Sequence, residues 1–210
     1  MRADAPSLLL EKALAGKGYQ RIAGVDEVGR GSWAGPIVAA AVILPLDRPG
    51  LEQDLEGVRD SKQLTAQRRE ELLPLIAREA HAIGVGWCTR RQIDLGGIGA
   101  ANRAAMTRAV SRLHCVPDAL LIDHVRLQTL ALPQWSYPRA DSLSLSVAAA
   151  SIVAKVVRDR WMVTCERRYP GYGFAAHKGY GTPSHREALE LLGPSPIHRM
   201  SFRPLLLTLL

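Results

Sequence analysis

The sequence of 210 residues predicts an α/β protein in which a β-sheet carries helices on both faces. Short apolar runs predict strands in the first part of the chain, and the β-branched run from Ile37 to Leu44 is the clearest of them. Longer stretches with helical spacing lie between and after these runs, above all residues 142–168. A chain of this length can bury a sizeable core, and we expect a single domain over residues 1–210.

The predicted elements have recognisable boundaries. A short helix over residues 5–16 ends at Gly16, and Thr65 is a suitable N-cap for a helix that reaches residue 79. Pro74 is expected to kink or break that second helix. The other predictions are strands at 20–25, 37–44, 81–87 and 119–122, helices at 98–113, 142–168 and 184–192, and loops at 47–64 and 169–182.

Composition excludes several classes of protein. Apolar residues make up 47% of the chain and charged residues 22%, so disordered and collagen-like proteins are excluded. The longest uncharged apolar run, residues 37–46, is too short to cross a bilayer, and no membrane partner is expected. Cys88, Cys115 and Cys165 have no C-x-x-C spacing, which argues against a disulfide framework or a zinc knuckle and favours the cytoplasm. Four histidines also have no ligand spacing: His81, His114, His124 and His198.

Charge indicates a polyanionic partner. The formal net charge is +7, and residues 139–210 hold ten basic and only five acidic side chains. A basic protein with a basic C-terminal part favours nucleic acid over a membrane as its partner.

Carboxylates follow two of the predicted strands. Asp26 and Glu27 come directly after the strand at 20–25, Asp123 follows the strand at 119–122, and Asp141 precedes the long helix. Ligands of α/β sheets bind at the carboxyl ends of strands, and acids that converge there need a cation such as Mg²⁺ or Mn²⁺. The alternative for each acid is a solvated loop residue, or a helix N-cap for Asp141.

Three loops carry residues that suit a nucleic acid. Residues 29–34 match the relaxed dinucleotide fingerprint G-x-G-x-x-A, but Pro36 and the strand after it argue against the helix that this fingerprint requires. The triplet Asp60-Ser61-Lys62 has two interpretations: Ser61 and Lys62 contact a phosphate, or the triplet is a solvated turn. The segment 169–185 holds three of the five tyrosines and two of the six histidines, which suits base stacking or a loop fixed by aromatic packing.

Taken together, these motifs resemble the bacterial ribonuclease HII family. The segment 24–42 is similar to the opening motif of the family, and the segment 141–155 is similar to its long helical motif. The shorter motifs follow in the family's order over about residues 20–203: Asp60-Ser61-Lys62, Leu121-Ile122-Asp123, Arg158-Asp159, Gly179-Tyr180-Gly181-Thr182 and His198 to Phe202.

The resemblance implies a ribonuclease H-like mixed β-sheet flanked by helices, with a small C-terminal helical extension and substrate-binding loop at 169–210. It implies an endoribonuclease that cuts the RNA strand of RNA/DNA hybrids and nicks 5′ of single ribonucleotides in duplex DNA. The family's ligands for two Mn²⁺ or Mg²⁺ ions correspond to Asp26, Glu27, Asp123 and Asp141. Its substrate contacts correspond to Gly29, Arg30, Gly31, Ser61, Lys62 and Tyr180. A monomer without a nucleotide cofactor is expected.

The sequence departs from the family pattern beside two of the acids. His124 and Ala140 stand where glycine is usual, which puts the backbone path at these points in question. Leu143 stands where a basic residue is frequent, which would remove one phosphate contact. Three other functions remain open: a non-catalytic nucleic-acid-binding module, a dinucleotide-dependent oxidoreductase, and another nuclease of the same superfold.

Overall fold

The computed structural model describes residues 5–206, and this part of the chain forms five strands and eight α-helices. The strands are β1 (Ile22–Val28), β2 (Ile37–Ile43), β3 (Ala82–Cys88), β4 (Ala119–Asp123) and β5 (Gln134–Tyr137). The helices are α1 (Leu9–Ala15), α2 (Leu51–Asp54), α3 (Ala66–Glu79), α4 (Arg90–Ser111), α5 (Leu145–Arg168), α6 (Phe174–His177), α7 (Pro183–Leu192) and α8 (Arg203–Leu206).

The five strands form one mixed sheet in the order β3-β2-β1-β4-β5. β1 is antiparallel to β2, and β2 is antiparallel to β3, whereas β4 is parallel to both β1 and β5. The predicted mixed sheet is therefore confirmed. Its parallel half brings the carboxyl ends of β1 and β4 to the same edge.

Helices cover both faces of the sheet, as predicted. The side chains of β2 alternate between the faces: Val38 and Ala40 belong to the core beneath α5, whereas Ile37 and Ala39 belong to the core beneath α4. All seven residues of β2 are buried. Burial on both faces explains why the whole strand is apolar and why it was the clearest in the sequence.

The N-terminus of α5 is held by α1. The carboxylate of Glu11 is buried and accepts hydrogen bonds from the hydroxyls of Ser144 and Ser146, each at 2.6 Å, and from the backbone N–H of Ser146 at 3.0 Å. Ser144 also caps α5, because its hydroxyl accepts from the backbone N–H of Val147. A carboxylate at this position is further favoured by the helix dipole. These bonds fix the start of α5 next to Asp141.

The bounds predicted for α3 are confirmed, whereas the expected break at Pro74 and several other predicted boundaries are wrong. α3 runs without a break through Pro74, because burial of Leu72 and Ile76 on the same helix outweighs the lost hydrogen bond. α4 begins at Arg90 rather than residue 98, with a kink at Gly97. Strand β5 was not predicted, since it has only four residues. The predicted loops at 47–64 and 169–182 contain the short helices α2 and α6.

The C-terminal part of the described chain packs around its own apolar cluster, which confirms the predicted helical extension. Phe174, Leu189 and Leu205 contribute to this cluster together with Ala34 from the loop after β1 and Met162 from α5. The cluster thus joins the C-terminal helices to the loop that follows β1. None of the helices within residues 5–206 is long and apolar enough to span a bilayer.

Candidate active site

Asp26 and Glu27 lie within β1 rather than after it, because the strand extends to Val28. Neighbouring side chains of a strand point to opposite faces of the sheet. Val25 belongs to the core beneath α4, so Asp26 lies on the α5 face and Glu27 on the α4 face. Asp26 is buried and Glu27 half-buried. The two carboxylates therefore extend from opposite faces of the sheet.

Two further carboxylates come close to Asp26. Val25 of β1 is paired with Ile122 of β4, so the next residues, Asp26 and Asp123, lie side by side where the paired strands diverge. Asp141 comes from a 3₁₀ turn over Ala140–Ser142 that follows β5. The carboxylate of Asp123 accepts a hydrogen bond from the backbone N–H of Ala140 at 2.9 Å, which ties that turn to β4.

Mutual repulsion shapes the titration of these acids. Burial raises the pKa of Asp26 well above its usual value, and the charges of Glu27, Asp123 and Asp141 raise it further. Burial also raises the pKa of Glu27. The pKa of Asp141 is raised to about 6, first by burial and then by the neighbouring carboxylate of Asp60. The site has more negative charge than its surroundings neutralise, and a cation would relieve the repulsion.

Lys62 supplies part of the missing positive charge. Its Nζ lies 3.8 Å from Oδ2 of Asp141, and its side chain is 77% exposed. Burial alone would lower the pKa of Lys62, but the carboxylates of Asp60, Asp26, Asp141 and Asp123 raise it above its usual value. An exposed ammonium group held by several carboxylates can move away when a metal ion or a phosphate enters the site.

The donor set fits a hard divalent cation. All four predicted ligands are carboxylates, and oxygen donors are those preferred by Mg²⁺ and Mn²⁺. Asp60 is a fifth carboxylate at this site, and its side chain accepts from the backbone N–H of Lys62 at 2.9 Å. Asp60 was not predicted to join Asp26, Glu27, Asp123 and Asp141, which we call the acidic group, although its place in the Asp60-Ser61-Lys62 motif was a usable signal.

The loop after β1 connects directly to strand β2, and no helix begins near residue 32. The dinucleotide fingerprint is therefore accidental, and the oxidoreductase alternative has no support. Gly29 has φ +94°, and a Cβ there would lie 2.3 Å from Nε of Arg158, so the fold itself requires glycine. A Cβ on Gly31 would meet nothing within 4 Å. Arg30 is exposed, with Nη1 3.7 Å from Oε1 of Glu27.

Two buried arginines fix this loop; both belong to motifs that resemble the family, but the sequence alone assigned no role to either. The guanidinium of Arg158 on α5 donates hydrogen bonds to three backbone carbonyls, those of Ala34, Pro36 and Lys178. Arg199 donates to the carbonyls of Gly35 and Arg30. Both side chains have no solvent exposure. Burial lowers the pKa of Arg199 to about 9. The two arginines thus fix the backbone of the loop at residues 29–36 from its buried side.

Backbone bonds join the same loop to the Tyr180 segment. The N–H groups of Trp33 and Ala34 donate to the carbonyl of Gly179, at 2.8 and 3.3 Å. Tyr180 is half-buried, with the ammonium of Lys155 5.7 Å and the guanidinium of Arg158 5.4 Å from its ring centre. The predicted substrate-contacting residues at 29–31 and at 180 are therefore parts of one connected surface.

Two hydrogen-bonded histidines, His185 and His198, support the segment that contains Tyr180. The carbonyl of Tyr180 can only accept, so Nδ1 of His185, at 2.9 Å, donates to it. Nε2 of His185 then accepts from Nε2–H of His198, at 2.9 Å. Nδ1 of His198 accepts from the backbone N–H of Ser195, at 2.8 Å. Both imidazoles must be neutral, because a second proton would place two N–H groups against each other.

Acid is expected to destabilise the protein through these two histidines. Burial is the main cause that lowers the pKa of His185 and of His198 from 6.5 to about 4. Between these values each of the two histidines binds more protons in the unfolded chain than in the folded chain, so its contribution to the free energy of unfolding falls as the pH decreases. One such histidine contributes up to about 3 kcal/mol over this range. Urea unfolding at about pH 7 and about pH 5 measures the loss.

The variants His185→Gln and His124→Asn test the origin of this loss. His124 is exposed, so His124→Asn should retain the full decrease in stability between the two pH values. His185→Gln should show a smaller decrease, because one of the titrating groups is gone. The raised pKa values of Asp26, Glu27 and Asp141 act in the opposite direction over this pH range, so the test is the difference between the two variants. An equal pH dependence of stability in His185→Gln and His124→Asn would contradict the neutral histidine pair.

Of the two predicted phosphate contacts, only Lys62 is exposed. Ser61 is buried, and its hydroxyl accepts a hydrogen bond from the hydroxyl of Ser151 at 2.8 Å. The backbone N–H of Ser61 also donates to Ser151, at 3.3 Å. Ser61 therefore joins the motif to α5, and its side chain does not face solvent as Lys62 does.

The departures at residues 124 and 140 have structural consequences. His124 has φ +58°, a left-handed conformation that glycine adopts without strain and histidine adopts less readily. The neighbour of Ala140, Arg139, is left-handed as well, with φ +56°. The backbone beside Asp123 and Asp141 is thus left-handed at two residues that are not glycine. Leu143 is 48% exposed, so an apolar side chain stands where the family often has a basic one.

Comparison with known proteins gives the family. The model of the ribonuclease HII family matches residues 23–204, which include every candidate residue described above. The chain belongs to the ribonuclease HII family. A ribonuclease HII of Chloroflexus aggregans is 55% identical over 204 residues, covering 96% of this chain and 95% of the relative. The chain is accordingly a metal-dependent endoribonuclease of the ribonuclease H type.

Solved structures agree with this assignment. The ribonuclease H2 of Pyrococcus horikoshii is similar with a TM-score of 0.76 and 27% identity, over 88% of this chain and 95% of that one. The ribonuclease HII in a complex with PCNA from Archaeoglobus fulgidus has a TM-score of 0.74 and 27% identity, over 87% and 95% of the two chains. The ribonuclease HII family assignment leaves the non-catalytic alternative without support.

Proposed function

We propose that this ribonuclease HII cuts the RNA strand of RNA/DNA hybrids and also nicks duplex DNA on the 5′ side of single embedded ribonucleotides. The products would be a 5′-phosphate and a 3′-hydroxyl. One observation carries the proposal: the acidic group lies next to the surface formed by residues 29–31 and 180. Strand β1 carries two of the acids and leads directly into residues 29–31, and hydrogen bonds join the loop after β1 to Gly179 and to Arg158 of α5.

Asp26, Glu27, Asp123 and Asp141 are the proposed ligands of two divalent ions, either Mn²⁺ or Mg²⁺. When bound, such ions stabilise developing charge on a phosphate and make a bound water more acidic. A bound cation would offset the repulsion described above and keep the carboxylates ionised, so they act as ligands and have no need to transfer protons. Lys62, which the acids hold as a cation, contacts a phosphate of the substrate strand.

Selection of ribose requires a polar contact to the 2′-hydroxyl. The backbone groups of Gly29 and Gly31 and the side chain of Arg30 are the proposed source of that contact. Gly31 faces open space, since a Cβ there would meet no atom within 4 Å, and the missing side chain lets a ligand approach the backbone closely. A site built for a hydroxyl discriminates strongly against deoxyribose, because its polar groups would be left unpaired.

The remaining parts of the proposal concern the context of the reaction. Residues 169–210 act as the substrate-binding part of one catalytic domain, since residues 172–205 pack against the loop after β1. We also propose a cytoplasmic location, because Cys88, Cys115 and Cys165 are free thiols that suit a reducing compartment. The proposed oligomeric state is a monomer.

A labelled DNA duplex with one embedded ribonucleotide tests the function. With Mg²⁺ or Mn²⁺ we expect a nick 5′ to the ribonucleotide, and no nick with EDTA or on an all-DNA duplex of the same sequence. Cleavage of continuous hybrid without any nick at the single ribonucleotide would reject the proposed junction reading while leaving the ribonuclease H activity intact.

Tyr180→Ala should separate the two substrates. The ring of Tyr180 is half-buried beside two cations, in a position to stack on a sugar or base at the junction. Loss of one stacking contact is worth about 1–3 kcal/mol, so cleavage at a single ribonucleotide should fall by about fivefold to 150-fold. Continuous hybrid offers many other contacts and should be cut with a smaller loss. Equal losses on both substrates, measured as kcat/KM, would refute the junction role.

A further inference from the structure

We propose that His81, His114 and Cys115 form a second metal site, which binds a borderline transition metal of the Zn²⁺ type and is separate from the acidic group. Within residues 5–206 these are the only three side chains of the ligand types His, Cys, Asp and Glu whose potential ligand atoms all lie within 4.8 Å of one another. The sequence showed no ligand spacing for them, because the fold brings together positions 33 residues apart.

The backbone that carries the three ligands is firmly positioned. A Cβ on Gly84 of β3 would lie 2.1 Å from the carbonyl oxygen of Ala109, so α4 rests directly on β3. Arg112, just after α4, donates from Nη1 to the carbonyl of Val85 at 2.7 Å, and its guanidinium lies 4.2 Å from the centre of the Trp87 ring. The end of α4, which leads into His114 and Cys115, is therefore held against β3.

His81 enters the cluster from the other side. Its backbone N–H donates to the carbonyl of Ile43 at 2.8 Å, which fixes it at the start of β3. The ring centres of His81 and His114 are 5.9 Å apart. Ligand atoms around a tetrahedral Zn²⁺ are about 3.4–3.8 Å apart, given bonds of about 2.0–2.3 Å. The ligand atoms, now within 4.8 Å of one another, must therefore come about 1 Å closer, and rotation of the exposed histidine side chains achieves this without movement of the backbone.

The donor set determines which metal binds. One thiolate and two imidazoles suit Zn²⁺ or Co²⁺ and do not suit Mg²⁺, which prefers oxygen. His81 and His114 are exposed, so water can fill the fourth position. Binding releases the proton of the Cys115 thiol to solvent. The acidic group contains no sulfur or imidazole, so the two sites differ in their metal preference.

The site lies away from the acids. His81 is hydrogen-bonded to Ile43, at one end of β2. Asp26 lies on β1, on the other side of β2 from β3, and is paired with Ala40, which is three residues from Ile43 along β2. Three residues of a strand correspond to about 10 Å. A metal here would not contact the substrate site, and it would link the β2–β3 connection to the segment between α4 and β4.

Titration of the EDTA-treated and dialysed protein with Co²⁺ tests the proposal. Thiolate-bound Co²⁺ gives an intense sulfur-to-metal charge-transfer absorption, which carboxylate-bound Co²⁺ lacks. We expect this absorption in the wild type and equally in Asp26→Asn, where the acidic group is impaired, and we expect Zn²⁺ to abolish it. Cys115→Ser should lose the absorption while retaining Mg²⁺-dependent ribonuclease activity.

His81→Ala keeps the test independent of any effect of residue 115 on folding. Even residues that only support metal ligands contribute about tenfold to affinity, so loss of this ligand should weaken Co²⁺ binding by at least about tenfold. His124→Asn, which changes an exposed histidine elsewhere, should bind Co²⁺ as the wild type does. Absence of the absorption in the wild type, or its persistence in Cys115→Ser, would overturn the proposal.

Discussion

Asp26→Asn should lower the rate of cleavage at least about a thousandfold, since metal ions contribute several kcal/mol to a transition state of this kind. Asparagine keeps the shape of the side chain but removes an anionic ligand. Binding of hybrid, measured by fluorescence anisotropy with a labelled duplex, should change little, because the substrate contacts lie on the neighbouring loops. Measurable binding without cleavage is the expected combination.

The same variant should be more resistant to heat than the wild type when no metal is present. Asp26 is buried among other acids, and burial and repulsion raise its pKa, so its charge destabilises the metal-free fold. Asp54→Asn, at an exposed acid paired with Arg48, is the control and should leave activity unchanged and alter the melting temperature only slightly. Normal turnover by Asp26→Asn, or loss of its hybrid binding, would refute its assignment as a metal ligand.

Arg158→Met should destabilise the protein by about 3–5 kcal/mol. The substitution leaves the carbonyls of Ala34, Pro36 and Lys178 without their donor, and each unpaired buried group costs about 1–3 kcal/mol. Relief from burying the guanidinium charge offsets part of this total. Chemical denaturation with urea gives the difference directly.

Arg160→Met is the matched control for this variant, two positions further along α5. Arg160 forms an exposed ion pair with Glu70, so its loss should change stability by less than about 1 kcal/mol. If Arg158→Met proved as stable as Arg160→Met, the buried arginine could not be what holds the loop after β1. A folded Arg158→Met protein should also lose selectivity for single ribonucleotides, since Arg158 joins the two substrate-contacting loops.

The sequence was sufficient for the parts of the fold that depend on local pattern. Strand β2 was predicted to within one residue because a β-branched run buried on both faces has no competing interpretation. The N-cap Thr65 was predicted because its hydroxyl acts on the next turn of the same helix. The approach of Asp26 to Asp123 was expected because acids at the ends of neighbouring parallel strands meet at one edge.

Other features depend on contacts between distant residues, which a single sequence does not display. Nothing local distinguishes the buried Arg158 from the exposed Arg160 on the same helix. The tautomers of His185 and His198 are determined by a carbonyl and an N–H from separate loops. Pro74 was given too much weight because the burial of its neighbours, which offsets its cost, is a tertiary property.

The bonds between Arg199 and the loop after β1 also affect when the enzyme becomes active during its synthesis. Arg30 and Arg199 are 169 positions apart, so the loop can acquire its final conformation only after nearly the whole chain has been made. Domains form as their residues emerge from the ribosome, and the strands that carry the acids emerge much earlier. The loop after β1 therefore completes its folding only after the strands that carry Asp26, Glu27 and Asp123 have been made.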